Sequence, residues 1–153
     1  MSKKRPFFEN QLRGSPDSET HHASLEARDA LKFHQSLPGY RPTPVVSLPQ
    51  LAQHLHVGSI YVKDESARLG LNAFKVLGAS YAIHRTLEKN PGIETFCTAT
   101  DGNHGKAVAW AASRLGRQSV VFVPWDTTAQ RIAAIEAQGA RVLKLLATTM
   151  QLV

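Results

Sequence analysis

Cysteine is almost absent. Cys97 is the only one in 153 residues, so no disulfide can form within the chain, and a reducing compartment suits it. Its place in Thr95-Phe96-Cys97-Thr98-Ala99 predicts a buried strand residue rather than a reactive thiol. Long apolar runs are missing as well. The longest, around Ala107–Ala112, falls far short of the roughly 20 residues that a membrane helix requires. No apolar signal-peptide core follows the basic Met1–Pro6, which points to the cytoplasm. Acidic residues are in deficit, 12 against 18 lysines and arginines, for a net charge of +6. Such a balance raises nucleic acid as a partner. Only Lys3-Lys4-Arg5 forms a basic cluster, however, and neither zinc-finger spacing nor an aromatic RNA-binding motif accompanies it. The expectation is therefore no nucleic acid and no membrane, with the positive excess suited to phosphates and carboxylates of small molecules.

What is present is an ordinary globular composition, 42% hydrophobic and 20% charged, in a chain long enough for one modest domain with a real core. No internal repeat or low-complexity segment occurs. Residues 1–23 are polar and predict a flexible N-terminal arm. Ser24 caps a helix to about Ser36, which Pro38-Gly39 ends. Tyr40–Val45 is extended, because each proline restricts the residue before it. A short helix follows from Pro49 to about Leu55, then a strand over Ser59–Asp64 and a connecting loop to Leu71. Asn72 caps the helix carrying Lys75, which stops near Asn90 at Pro91-Gly92. From there the rhythm is regular: strand Glu94–Ala99, helix Asn103–Leu115, strand Ser119–Val123, helix Thr127–Gln138 and a strand from Arg141 to about Leu146. Strands alternating with helices over short connections predict an α/β fold, a parallel sheet with flanking helices. After Met150-Gln151-Leu152-Val153 no further helix follows. Three parallel strands leave at least one edge and one face uncovered, which predicts an incomplete fold.

Two segments carry chemistry. In open parallel sheets ligands bind beyond the C-terminal ends of strands, at helix starts, and Thr100-Asp101-Gly102-Asn103-His104-Gly105 falls at such a place. Glycine permits close backbone approach, the helix N-terminus favours an anion, and Asn103 offers an amide donor. The plainer alternative is that Asp101 or Asn103 simply caps the helix. The second segment is Asn72-Ala73-Phe74-Lys75-Val76-Leu77-Gly78. Most lysines are solvated surface charges, yet Lys75 is the one charged group in an apolar turn. A helix start and apolar neighbours both disfavour ammonium, which favours Schiff-base chemistry. Phe74 is placed to pack beside a planar ring, with core packing as the commoner role. No metal is assigned. His54 and His56 diverge on a helix, His21, His22, His34 and His84 lack ligand spacing, and His104 suits packing or hydrogen bonding. Gly102-x-x-Gly105 lacks the full dinucleotide fingerprint, so a nucleotide-binding Rossmann module is a distant third reading.

Together these segments resemble fold-type II pyridoxal-phosphate enzymes, in which a Phe-Lys pair supplies the Schiff-base lysine and a Gly-Asn turn contacts the ring hydroxyl. Arg68–Lys75, Ala99–Gly105 and Phe33–Pro44 look like the diaminopropionate ammonia-lyase family, and the similarity runs from about Leu31 to about Val142. The resemblance implies elimination of ammonia from 2,3-diaminopropionate, giving pyruvate and ammonia. It implies pyridoxal 5'-phosphate held by Lys75, with Asn103, Phe74 and Gly102 in contact, and Lys75 and Asp101 as catalytic residues. Related serine and threonine dehydratases have serine where Asp101 stands. A carboxylate, unlike a serine hydroxyl, takes up a proton from an α carbon and attracts a second amino group. The implied division is residues 24–85 as the N-terminal part of a large domain, 86–147 as a small α/β domain and 148–153 as a divergent tail. The remainder of the large domain is absent, with the glycine-rich phosphate loop and the group facing the pyridine nitrogen. Weak cofactor binding and an inactive fragment follow as expectations. The alternatives are a non-catalytic remnant that binds a partner, or a dehydratase-like lyase. A homodimer is implied for a full-length form.

Overall fold

The computed structural model describes residues 28–145. The expected arm at 1–23, residues 24–27 of the first helix and the divergent tail lie outside them. In chain order the elements are α1 (Arg28–Ser36), β1 (Val45–Ser47), α2 (Pro49–His54), β2 (Tyr61–Lys63), a 3-10 turn (Arg68–Gly70), α3 (Lys75–Lys89), β3 (Thr95–Ala99), α4 (Asn103–Arg114), β4 (Gln118–Pro124), α5 (Ala129–Glu136) and β5 (Arg141–Leu145). Apart from β1 and the 3-10 turn, they match the expected elements in type, with ends shifted by one or two residues where helices and strands fray.

Strands β3, β4 and β5 form a parallel sheet in that order, with Phe96 opposite Ser119 and Val121 opposite Val142. Val121, Val123 and Ile135 are fully buried and form a core with Ala109 and Ala140. A second core lies between α3 and α4, built from Leu71, Val76, Ala79 and Ile83 with Ala107, Val108, Trp110 and Ala111. Helix α4 is therefore wedged between α3 and the sheet, and its alanine-rich sequence is what fits there. Gly105 marks the tightest point. A Cβ at this position would lie 2.9 Å from both Thr100 Cγ2 and Val121 Cγ1, too close for any side chain.

The structure corrects three expectations. Cys97 is exposed rather than buried. The period-two alternation of β3 sends Phe96 to the helix-covered core and Cys97 to the opposite face, which no described helix covers. The second correction is a separate two-stranded sheet, β1 paired antiparallel with β2 through Val46 and Val62. Its strands are three residues each and separated by α2; the strand at β2 was expected, but β1, read only as an extended segment, and the pairing between them were not. Third, Asn72 does not cap the helix of Lys75. It sits at φ +57 two residues before the N-cap, Phe74, in the left-handed region that asparagine tolerates.

Asn72 belongs to an unusual connection. Leu69 at φ +48, Gly70 at φ +75 and Asn72 are all left-handed, a costly conformation for a leucine. Buried Arg68 pins it. Its Nε and Nη2 donate to the two Glu65 carboxylate oxygens at 2.6 and 2.8 Å, and its Nη1 donates to the Arg41 carbonyl at 2.7 Å. Nη2 also donates to the Thr43 hydroxyl at 2.9 Å, and the guanidinium lies over the Tyr40 ring. The bidentate arginine holds the Glu65 carboxyl well below its usual range, at about 2. The chain is thus anchored at Arg68, seven residues before Lys75 enters the helix. Position 85/86, the expected domain boundary, lies inside the unbroken α3. No helix among the described residues is long and apolar enough to cross a membrane.

Candidate active site

Lys75 is the first residue of α3, and Asn103 is the first residue of α4. The two helices share a core that includes Leu71 and Val76 on one side and Ala107 and Val108 on the other. Their starts are further tied by Lys106, whose Nζ lies 3.4 Å from the Leu71 carbonyl. The approach to α3 and the first turn of α4 are thus tied together, while Lys75 and Phe74 themselves do not border the cavity beside Asn103. Core packing of the flanking residues Ala73 and Val76 turns Phe74 and Lys75 outward. Lys75 is exposed, so the expected apolar turn around it is not what forms: Ala73 and Val76 point into the core instead. Phe74 is 63% exposed, leaving its ring free of core packing.

The turn after β3 continues the ladder through Thr100, whose N–H donates to the Phe122 carbonyl at 2.8 Å. The Gly102 N–H donates to the Thr100 hydroxyl, and Gly102 is the N-cap of α4 with no side-chain capping bond. The capping role weighed for Asp101 and Asn103 is therefore not the one they play. Asn103 is exposed, and its amide has no hydrogen-bond partner among the described residues. Asp101 instead reaches across to α5, where Arg131 Nη1 donates to its Oδ2 at 2.7 Å. Asp101, Asn103, Lys106, Gln130 and Arg131 border a cavity of about 340 Å³ beside the start of α4.

Arg131 and Lys106 escaped the sequence reading. Neither stands in a motif, and only the parallel crossover brings the first turn of α5 to the end of β3. The available clue was general: helix starts following adjacent parallel strands converge at one sheet edge. The Arg68–Glu65 anchor was missed for a similar reason, because its partners Tyr40, Arg41 and Thr43 are distant in sequence.

Whether these residues suit pyridoxal phosphate is a question of donor chemistry. An exposed primary amine at a helix start matches its aldehyde, an unpaired amide at Asn103 matches a ring oxygen, and the bare Phe74 ring offers an apolar face. Both helix starts lack side-chain caps, so their first N–H groups remain open to an anion. The set fits the aldehyde and ring-oxygen end of the molecule. Residues 28–145 contain no glycine-rich loop of the kind that cradles a phosphate.

A parallel α/β sheet presenting a lysine and a glycine-asparagine turn from two adjoining helix starts defines the class: fold-type II, in part. The profile of the pyridoxal-phosphate dependent enzymes matches residues 36–152, and the chain belongs to that family. It is 42% identical over 135 residues to the diaminopropionate ammonia-lyase of Escherichia coli K12, covering 77% of this chain and 34% of the relative. The crystal structure of the Escherichia coli enzyme in complex with D-serine superposes with a TM-score of 0.72 at 42% identity, over 76% of this chain and 34% of that one. A biosynthetic L-threonine dehydratase of Haemophilus influenzae is 32% identical over 101 residues, 66% of this chain and 19% of its own. The chain spans about a third of the length of the ammonia-lyases it matches.

Proposed function

We propose that this chain supplies the lysine-bearing portion of a pyridoxal-phosphate-dependent carbon–nitrogen lyase site, whose substrate is 2,3-diaminopropionate. The observation that carries the reading is that Lys106 of α4, reaching the Leu71 carbonyl, ties the Lys75 and Asn103 helix starts together, with Asp101 beside them capping neither helix. The 42% identity to a diaminopropionate ammonia-lyase supports the substrate. In this reading Lys75 would hold the cofactor through its Nζ. Asn103 donates its amide to the ring oxygen, Phe74 lies against the ring, and the Gly102 backbone permits close approach. The chemistry supplied by bound pyridoxal phosphate is electron withdrawal from the substrate's α carbon. Asp101 would accept the α proton on one carboxylate oxygen, and with the cofactor bound the products would be those of loss of the β-amino group as ammonia. Hydrolysis with one water then gives pyruvate and a second ammonia.

The proposal includes the division at about residue 85 into parts of a large and a small domain, with α3 running across it. It also includes the cytoplasm as location, which a lone cysteine suits. A second reading, a non-catalytic fragment that binds a partner chain, is favoured by the face of the parallel sheet around Cys97, which no described helix covers. One experiment separates the two. The purified chain is incubated with pyridoxal phosphate, reduced with borohydride and digested for mass spectrometry. The lyase reading expects the adduct on Lys75, lost in Lys75→Ala. No adduct at Lys75 would sink it and leave the fragment reading.

A further inference from the structure

Among the described residues, Arg131 is the one side chain that holds Asp101. The carboxylate makes no helix cap, and its partner comes from α5, on the far side of β4 in sequence. Only Oδ2 is engaged, at 2.7 Å, so Oδ1 has no protein partner among the described residues. The arginine is 59% and the aspartate 55% exposed, and such an exposed pair adds little to stability. Its consequence is orientation. An aspartate in a turn has rotamers to choose from, and a base works only when its oxygen sits within hydrogen-bond reach of the proton. The cavity also holds a second cation, Lys106. With Oδ2 held by Arg131 and a second cation in the same cavity, the carboxylate is a poor receptor for a substrate ammonium.

We infer that Arg131 is a positioning residue: it fixes Asp101 through Oδ2 and keeps Oδ1 free as the proton-accepting atom, so that Asp101 serves as a base rather than as a receptor for the second amino group. The inference rests on the reading of Asp101 as the base. In the chemical step the substrate's α C–H bond breaks, its proton moves to Oδ1, and Arg131 keeps its own proton throughout.

The test uses the full chain loaded with pyridoxal phosphate, in heavy water, with 2,3-diaminopropionate as the probe, and follows deuterium entering the α position by NMR. Asp101→Asn should slow exchange by about 10²–10⁴-fold, the usual worth of a positioned base. Arg131→Gln should slow it by about 10–100-fold, as for a misplaced catalytic group, while Arg131→Lys should retain more of the rate. The double variant should be no slower than Asp101→Asn, because Arg131 acts only through Asp101. The borohydride-trapped adduct on Lys75 should be undiminished in Arg131→Gln. Without cofactor, the guanidinium ¹⁵N resonances of Arg131 should show restricted rotation that Asp101→Asn releases. Wild-type exchange in Arg131→Gln, a further loss in the double variant, a diminished Lys75 adduct or a freely rotating guanidinium would each overturn the role of Arg131. Exchange that is absent from the unmodified chain, or unaffected by Asp101→Asn, would overturn the base reading itself and this inference with it.

Discussion

The anchor ahead of Lys75 makes a quantitative prediction about acid. Glu65 is 16% exposed and Arg68 4% exposed, and the bidentate pair lowers the Glu65 carboxyl from 4.5 to about 2. A carboxyl whose folded value is depressed contributes stability that is fully present above its unfolded value, near pH 4.5, and is lost as pH falls toward 2. Two and a half pH units correspond to about 3 kcal/mol, an upper bound for this one group. Replacing Glu65 with Gln should remove that acid-sensitive component. Urea denaturation between pH 7 and pH 2.5 reads it directly. The unmodified chain should lose stability more steeply below pH 4.5 than Glu65→Gln, with similar denaturant slopes. Arg68→Met should be the more harmful change, by about 3–5 kcal/mol at pH 7, because it strands a largely buried carboxylate. Arg68 also pins the left-handed Leu69, so Arg68→Met should slow cofactor attachment at Lys75. Parallel acid limbs in the unmodified chain and Glu65→Gln would refute the reasoning, because the pair would then contribute nothing that depends on ionisation.

Three further outcomes can be measured on the same protein. Gly105→Ala places a Cβ 2.9 Å from Thr100 and Val121 and should destabilise by about 1–3 kcal/mol in urea despite alanine's better helix propensity. Asn103→Ala should leave the fold intact and weaken pyridoxal-phosphate binding by about 0.5–1.5 kcal/mol, the worth of one hydrogen bond, as seen by titration of cofactor absorbance. Cys97 should react with a maleimide in native buffer without denaturant, since it faces away from the helix-covered core. Protection of Cys97 in the intact chain would mean that something covers that face of the sheet.

Much of the fold was legible along the chain, and for a local reason. Gly116 at φ +64 and Gly139 at φ +93 stop α4 and α5 where a left-handed residue is needed, and Pro91-Gly92 lies just beyond α3. The apolar run through Val120–Val123 can only be a strand buried in a parallel sheet. The Lys75 and Asp101-Gly102-Asn103 segments were visible because each is a contiguous motif at a helix start. The β2 strand was legible, but its pairing with β1 was not, because the register is set by a partner some sixteen positions away rather than by alternation within either strand. Cys97 was misread because periodicity assigns a residue to one of two faces but says nothing of which face is covered.

The residue types at Lys75, Asp101 and Asn103, and their placement at strand ends and helix starts, follow from the order of amino acids. Turn chemistry and hydrophobic period are local properties, readable without the fold. What the tertiary structure alone decided is which groups meet: Arg131 with Asp101, Lys106 with the Leu71 carbonyl, Arg68 with Glu65 and Thr43. It also decided that Lys75 and Phe74 face outward. Those pairings join residues up to 35 positions apart, and they arise from how α4 wedges between α3 and the sheet. Long-range side-chain contacts depend on packing geometry, which no single stretch of sequence encodes.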